Sequence, residues 1–289
     1  MRRRGPFGLR VIHSKGGLRQ NGGKALAAMV GQEQSQIDYS ALVKALIAPV
    51  QHAGRVIMDI YQSDLSTETK ADGSPVTKAD HAAEAILLAE IATLAPSTQI
   101  ISEENVVSHN LAASQEFFLV DPLDGTKEFI KACGDGAFTV NIGLIKNAEP
   151  VMGIVFAPAL DRLFFGSLGN GAFEISGGIC RQIRVRMPPA EGPVAVASAS
   201  HRDAQTNQWL EKRGITNSIA IGSSLKFCLI ASGEADLYPR YGPTMEWDTA
   251  AGDAVLRAAG GRVTAEDGKP FLYGKAGYRN QPFFAAGGG

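Results

Sequence analysis

The chain has 289 residues and a formal net charge of −1, from 28 Lys and Arg against 29 Asp and Glu. This length is enough for one large domain or two modest ones, each with a hydrophobic core. The near-zero charge argues against a general binder of nucleic acids or membranes, and no apolar stretch approaches the roughly 20 residues of a transmembrane helix. The three scattered cysteines predict no zinc site and fit buried thiols in a reducing cytoplasm.

Residues 1–37 form a basic N-terminal extension that differs from the rest of the chain. Its first 32 residues carry seven Lys and Arg but no Asp or Glu. This composition is typical of a transit peptide, of a disordered tail, and of a start codon assigned too far upstream, with Met29 as the alternative start. We favour a disordered tail or a misassigned start and exclude the segment from the fold prediction.

Residues 38–185 are predicted to form an α+β lobe. Apolar residues at helical spacing predict a helix at 42–60, and a second helix with Thr77 as its N-cap ends before Pro96. A polar loop at 66–80 separates the two helices. Short β-prone runs then predict strands at 99–102 and 116–120 and two hairpins, 137–146 with 150–158 and 162–167 with 171–176.

Residues 186–289 are predicted to form an α/β lobe, because strands and helices alternate there. The predicted strands cover 194–198, 235–240 and 262–264, and the predicted helices cover 204–214, 223–233 and 247–261.

Four acids lie near predicted strand ends or helix starts: Glu103, Asp121, Asp124 and Asp248. Such positions can converge at one edge of a sheet, where open α/β proteins bind their ligands. Carboxylates that converge in a cleft repel one another and raise one another's pKa. The arrangement is reasonable if a hard divalent cation such as Mg²⁺ lies between them.

The motif DPLDGT, which begins at Asp121, favours this interpretation. Its proline favours a sharp turn that would bring Asp121 and Asp124 to one ion and aim the carbonyl of Leu123 inward. Gly125 allows close approach of the backbone. The N–H groups near Gly125 and Thr126, at the start of the next predicted helix, could hold a phosphate.

Taken alone, the motif leaves alternatives open. An ordinary turn with two exposed acids is about as good an explanation. An EF-hand calcium loop needs acids at alternating positions, and a haloacid-dehalogenase nucleophile needs one residue between its two acids, so both fit poorly. A glycosidase carboxylate pair fits the spacing, but nothing else supports it.

Three motifs in order, ISEE from Ile101, DPLDGTKEF from Asp121 and EWDTAAGDAV from Glu246, resemble the inositol monophosphatase superfamily of metal-dependent phosphatases. The resemblance covers about residues 38–285. DGTKEF, SSLKFCLIASGEADLYPR and GPTMEWDTAAGDAV are similar to its 3'(2'),5'-bisphosphate nucleotidase branch, whereas inositol monophosphatases more often carry DGTTNF. The resemblance implies a layered α-β-α-β-α sandwich with two lobes and the active site between them.

The resemblance also implies roles for individual residues. Asp80 and the hydroxyl of Thr126 would orient or deprotonate the attacking water, with no covalent intermediate. Two or three Mg²⁺ ions would be held by Glu103, Asp121, Asp124, Asp248 and the carbonyl of Leu123. Substrate contacts would come from Gly125, Thr126, His201, Ser223, Lys226, Arg240 and Asp248.

The expected activity is removal of the 3'-phosphate of adenosine 3',5'-bisphosphate by a metal-activated water, which gives AMP and phosphate. An inositol monophosphatase-like enzyme and a sugar bisphosphatase are the alternatives. A non-catalytic phosphate-binding protein is less favoured, because a pure binder needs no water-activating pair. The expected partner is a small phosphorylated nucleotide and not nucleic acid. We expect a cytoplasmic location, with peripheral association with the cytoplasmic face of the inner membrane and the oligomeric state left open.

Overall fold

Helices and two large β-sheets alternate in layers in a computed structural model that describes residues 38–63, 67–69, 75–130, 136–198 and 203–288. The predicted basic extension at 1–37 lies outside these residues. The helices are α1 (Tyr39–Ser63), α2 (Lys78–Leu94), α3 (Thr126–Ile130), α4 (Ala204–Glu211), α5 (Leu225–Ala231) and α6 (Ala250–Ala258), with 3₁₀ helices at Val106–Asn110, Pro158–Leu160 and Ala276–Tyr278.

The strands group by chain order. A short hairpin pairs β1 (Thr67–Thr69) with β2 (Pro75–Thr77). The larger sheet follows, and over the described residues its strands run in chain order: β3 (Gln99–Ser102), β4 (Glu116–Asp124), β5 (Thr139–Lys146), β6 (Glu149–Ala157), β7 (Arg162–Ser167), β8 (Gly171–Ser176) and β9 (Ile179–Ile183). Its strand pairs are antiparallel apart from the parallel pair β3/β4.

The smaller sheet uses the last third of the chain, in the order β11-β10-β12-β14-β13. Its strands are β10 (Ala195–Ser198), β11 (Ser218–Ile221), β12 (Leu237–Arg240), β13 (Arg262–Ala265) and β14 (Phe283–Ala286). Because side chains alternate along a strand, Phe283 and Phe284 point to opposite faces. Phe283 stacks on Phe227 of α5, and Phe284 stacks on Trp209 of α4, so these two helices cover opposite faces of the sheet.

The layers follow from these contacts. Helices α1 and α2 cover one face of the larger sheet, and α6 covers the other together with α5, which also contacts the smaller sheet. Helix α4 covers the face of the smaller sheet that points away from α5. The predicted layered α-β-α-β-α sandwich is confirmed. The division into lobes at residue 185 stays a prediction, although the strands of the larger sheet end at Ile183 and those of the smaller sheet begin at Ala195.

Two local predictions near the site were wrong. The polar segment 66–80 was predicted to be a loop, yet it contains the β1–β2 hairpin. The motif DPLD was predicted to turn sharply after a strand, yet it continues β4 to Asp124 as an irregular strand. The predicted N-cap is confirmed: Thr77 caps α2, and its hydroxyl oxygen accepts a hydrogen bond from the N–H of Ala79 at 3.1 Å.

Helix α1 forms because apolar residues repeat with the period of a helix. Its inner face buries Leu42, Val43, Leu46, Val50, Ala53 and Ile57. In the part of the chain that the structure describes, no helix combines the length and apolar character needed to cross a bilayer.

Glycines let α6 lie close to the larger sheet. A Cβ atom at Gly153 of β6 would lie 2.2 Å from the carbonyl oxygen of Ala251, and one at Gly143 of β5 would lie 2.9 Å from the N–H nitrogen of the same residue. Both neighbours are backbone atoms of α6 and cannot move alone. These two strands therefore need glycine where the helix crosses them.

We expect Gly153→Ala to lower the free energy of unfolding by about 1–3 kcal/mol, the usual effect of overpacking a core. Gly287→Ala is the matched control, because a Cβ there meets its nearest neighbour, Cβ of Val185, at an ordinary 3.4 Å. Denaturant midpoints of both variants measure the difference. Equal midpoints would show that α6 can move away from the sheet at little cost.

Candidate active site and metal centre

A cavity of about 570 Å³ opens between the C-terminal end of β4 and the start of α5. Most of the residues predicted from the sequence lie in its wall: Glu103, Asp124, Gly125, Thr126, Ser223, Lys226, Arg240 and Asp248. Asp80, Asp121 and Leu123 are buried close by, behind that wall. His201, predicted as a substrate contact, lies outside the described residues.

Three carboxylates converge closely enough to share a cation. One oxygen atom each from Glu103, Asp121 and Asp248 lie within 4.8 Å of one another. Glu103 follows β3, and its N–H donates to the carbonyl oxygen of Val120 on β4. The parallel pair β3/β4 thereby brings Glu103 beside Asp121.

A bulge in β4 puts Asp121 and Asp124 on the same face of the sheet. On a regular strand, residues three apart point to opposite faces. Here Asp121 pairs with Asn141 and Asp124 pairs with Thr139, so three steps on β4 match two steps on β5. The additional residue of the bulge restores the alignment of the two carboxylates. Proline is tolerated at such a position because it needs no ladder hydrogen bond there.

The side chain of Asp121 is only partly satisfied by the protein. Its Oδ1 accepts the N–H of Leu123 at 3.0 Å, while Oδ2 is buried and has no hydrogen-bond partner among the described residues. Burial, followed by the charges of Glu103, Asp124 and Asp248, raises the pKa of Asp121 well above its usual value. Such an oxygen is suited to a cation.

Ser224 connects Asp124, at the end of β4, with Asp248, which precedes α6. Its N–H donates to Oδ2 of Asp124 at 2.5 Å, and its hydroxyl oxygen lies 3.1 Å from the same atom and 2.6 Å from the carbonyl oxygen of Asp248. No sequence motif indicates a role for Ser224. The preceding Ser223 has φ +56°, an unusual backbone conformation that no local sequence signal indicates.

The loop that carries Asp248 is fixed from behind. Oδ2 of Asp248 accepts the N–H of Met245 at 2.7 Å. The side-chain amide nitrogen of Asn280 lies 2.7 Å from the carbonyl oxygen of Met245 and 3.1 Å from the hydroxyl oxygens of Thr244 and Thr249. The position of Asp248 thus depends on a residue 32 positions later, which sequence motifs do not identify.

A ring contact connects the backbone next to Glu103 with the backbone next to Asp248. His109 stacks on Trp247 with ring centroids 4.6 Å apart, and its Nε2 lies 2.8 Å from the carbonyl oxygen of Ser102. Ser102 precedes one acid of the cluster and Trp247 precedes the other. The two rings therefore set the spacing between the backbone segments that present these acids.

Asp80 and Thr126 lie close together. Oδ2 of Asp80 accepts the N–H and the hydroxyl of Thr77 at 2.7 and 2.6 Å, which closes the capping box of α2. The hydroxyl of Thr126 lies 3.4 Å from Oδ1 of Asp80 and 3.2 Å from the carbonyl oxygen of Leu123. Oδ1 of Asp80 therefore points to the end of β4 that carries the acids.

Two cations lie in the wall formed by the second half of the chain. Lys226 is 4% exposed, and its Nζ donates to the carbonyl oxygen of Ser223 at 2.5 Å. Burial lowers the pKa of Lys226 to about 8; the charge of Asp124 opposes this shift and that of Arg240 adds to it. Arg240 is 9% exposed and donates to the carbonyl oxygens of Gly242 and Pro243, both at 3.1 Å. Tyr238, under the ammonium group of Lys226, completes this part of the wall.

Comparison with known proteins agrees with this geometry. The model of the inositol monophosphatase family matches residues 38–283. The chain belongs to the inositol monophosphatase family. The 3'(2'),5'-bisphosphate nucleotidase CysQ of Escherichia coli K12 is 45% identical over 226 residues, which is 77% of this chain and 90% of that protein.

Solved structures of inositol monophosphatase family members have the same fold. CysQ from Bacteroides thetaiotaomicron, a bacterial member of the family, superimposes with a TM-score of 0.75 at 35% identity and covers 87% of this chain and 99% of its own. An inositol monophosphatase from Anabaena gives a TM-score of 0.65 at 28% identity over 87% of this chain and 92% of its own. The resemblance predicted from three motifs is thereby confirmed.

We expect Mg²⁺ to stabilise the protein more at pH 8 than at pH 5.5. Burial raises the pKa of Asp124 to about 6, despite the opposing charge of Lys226, so this acid is mostly protonated at the lower pH. A raised pKa means that the metal-free fold loses stability as pH increases from about 4 through 6, and a cation that needs the ionised form restores it. Thermal unfolding with EDTA or with Mg²⁺ at the two pH values measures both effects. If Mg²⁺ raised the unfolding temperature equally at both pH values, the assignment of Asp124 to the metal site would be contradicted.

Proposed function

We propose that this chain is a Mg²⁺-dependent 3'(2'),5'-bisphosphate nucleotidase that converts adenosine 3',5'-bisphosphate to AMP and phosphate. One observation carries the proposal: a single cavity has the acidic cluster in one part of its wall and two buried cations, Lys226 and Arg240, in another. A substrate with two phosphates matches both parts. The similarity to nucleotidases of the CysQ type supports the same substrate.

The metal would be held by Glu103, Asp121, Asp124, Asp248 and the carbonyl of Leu123. These are hard oxygen ligands, as Mg²⁺ prefers, and the unpartnered Oδ2 of Asp121 fits such a role. Bound Mg²⁺ supplies a Lewis acid for phosphate oxygens and lowers the pKa of water. The number of ions, two or three, stays a prediction.

Asp80 and Thr126 supply the proton chemistry. Oδ2 of Asp80 is held by Thr77, so the carboxylate cannot rotate away. Oδ1 accepts the proton of a water that attacks the phosphorus, while the bond from phosphorus to the 3'-oxygen breaks and that oxygen takes up a proton from solvent. The hydroxyl of Thr126, within reach of both Oδ1 and the carbonyl of Leu123, orients that water. A protein that only bound phosphate would not need this pair.

The second phosphate separates this function from its alternative. Paired cations recognise phosphate oxygens through charge-assisted hydrogen bonds. Lys226 and Arg240 would have no phosphate partner if the substrate were inositol monophosphate. The inositol monophosphatase-like alternative rests on neighbours such as the Anabaena enzyme, and sugar bisphosphatase activity is tested beside it.

Phosphate release from adenosine 3',5'-bisphosphate, with and without Mg²⁺, tests the function directly. We expect release that depends on Mg²⁺ and turnover of inositol 1-phosphate and fructose 1,6-bisphosphate that is much slower. Faster turnover of inositol 1-phosphate would favour the alternative. Failure to hydrolyse any phosphomonoester would overturn the enzyme assignment.

We expect Asp124→Asn to lower kcat/KM by at least about 100-fold, because the metal loses a charged ligand whose position Ser224 fixes. The amide keeps the size of the side chain and an oxygen for the N–H of Ser224. Asp267→Asn is the matched control, since Asp267 is exposed, pairs with Lys269 and does not line the cavity. Near-normal turnover in Asp124→Asn would contradict the metal assignment.

We expect Lys226→Met to lower kcat/KM for the bisphosphate by about 10- to 100-fold, the usual value of one charge-assisted hydrogen bond. Adenosine 3'-monophosphate, which lacks the second phosphate, serves as internal control and should change less than about threefold. Steady-state kinetics on both substrates decide the point. Equal losses on both would place Lys226 with the metal and not with the second phosphate.

Contact of His201 with the nucleotide stays a prediction, as do a cytoplasmic location and peripheral association with the inner membrane. The small phosphorylated substrate is the partner on which the assays above depend.

A further inference from the structure

Two buried oxygen atoms on adjacent strands lack a hydrogen-bond partner among the described residues. They are Oδ2 of Asp121 on β4 and Oδ1 of Asn141 on β5. Both side chains are inaccessible to solvent, with exposed fractions of 1% and 0%. An unsatisfied buried polar group costs about 1–3 kcal/mol. Two of them at facing positions beside a metal site need a physical explanation.

The two residues face each other across the sheet. Asp121 and Asn141 are direct register partners in the antiparallel pair β4/β5. Partners of this kind project from the same face, with Cβ atoms roughly 4.5–5.5 Å apart. The amide of Asn141 therefore lies on the face of the larger sheet that carries the acidic cluster.

The amide of Asn141 has two orientations of equal volume. In the orientation of the structure, Nδ2 lies 3.2 Å from the hydroxyl oxygen and 3.4 Å from the carbonyl oxygen of Thr139, and Oδ1 is left without a donor. In the exchanged orientation, the Thr139 hydroxyl would donate to Oδ1, and Nδ2 could donate to Asp121. The exchange would give up the long 3.4 Å contact with the Thr139 carbonyl and would offer a donor to both orphaned oxygens.

We propose that Asn141 is a positioning residue of the metal site, whose side-chain amide donates to Oδ2 of Asp121. The inference rests on the proposed function only in requiring a cation at the acidic cluster. An ionised carboxylate oxygen has two lone pairs, so Oδ2 can face a cation and still accept this hydrogen bond. The N–H of Leu123 holds Oδ1, so both oxygens of Asp121 are then fixed.

The residue type suits this role. An aspartate at 141 would add another negative charge to a cluster that already repels itself, and a lysine would compete with the cation. An amide supplies a donor without net charge. Hydrogen bonds of this kind behind a ligand orient it, and losing one usually weakens metal binding 10- to 100-fold.

Calorimetric titration of the full chain with Mg²⁺ tests the proposal through Asn141→Leu and Asn141→Asp. Both keep the approximate volume and remove the donor, and we expect each to weaken Mg²⁺ binding 10- to 100-fold. The apparent KM for Mg²⁺ should rise by a similar factor, while kcat at saturating Mg²⁺ should change less. Ile142→Val, on the other face of the same strand, controls for lost packing and should leave Mg²⁺ affinity unchanged.

Two other results of the titration would contradict the proposal. Unchanged Mg²⁺ affinity in Asn141→Leu would show that Asn141 only fills space in the core, and tighter Mg²⁺ binding in Asn141→Asp would show that residue 141 can ligate the metal directly. Should the variants not fold, a crystal structure of the Mg²⁺-loaded chain gives the answer. We expect the amide within about 3.2 Å of Oδ2 of Asp121, and a separation that excludes a hydrogen bond would overturn the inference. If the unaltered chain binds no Mg²⁺, the metal of the proposed function fails, whereas wild-type affinity in the variants removes only this inference.

Discussion

Electrostatic repulsion among clustered carboxylates is the constraint on which the rest of this structure depends. Asp121 is buried, Glu103, Asp124 and Asp248 are half-buried in the wall of one cavity, and desolvation together with their mutual charge raises the pKa of the three aspartates. A fold that only minimised its own energy would separate them. Hydrogen bonds and ring contacts from several distant segments hold the acids together instead. A cation bound between the acids then offsets their repulsion.

These supports explain why the site lies between the two sheets. The larger sheet contributes Glu103, Asp121 and Asp124 from the ends of β3 and β4, and the smaller-sheet half contributes Asp248. Ser224 contacts an acid from each group, with its N–H on Asp124 and its hydroxyl near the carbonyl of Asp248. Any change in the packing of α5 or α6 is therefore transmitted to the distance between these acids. Gly143 and Gly153 also contribute to the position of Asp248, because they determine how closely α6 approaches the larger sheet.

The sequence predicts the chemistry of this site better than its geometry. Residue types and their order identified the family and predicted which acids lie near one another, because those features are carried by short contiguous motifs. The bulge at Asp121 was mistaken for a turn, since a proline after a strand indicates a turn when only local preference is considered. The partner strand β5 decides between the two, and its register is a tertiary property. No motif predicted Ser224, His109 or Asn280 for the same reason, because each acts through contacts with residues that are distant in the sequence.

The burial of Lys226 connects the basic part of the cavity wall with its acidic part. A lysine ammonium group loses solvation on burial, which lowers its pKa to about 8, and the negative charge of Asp124 limits that loss. Lys226 in turn lowers the pKa of Asp124, so each group keeps the other ionised. Under the proposed function, a second substrate phosphate would supply a negative charge for both Lys226 and Arg240. The acid that would bind the metal, Asp124, also helps to keep Lys226 charged for that phosphate.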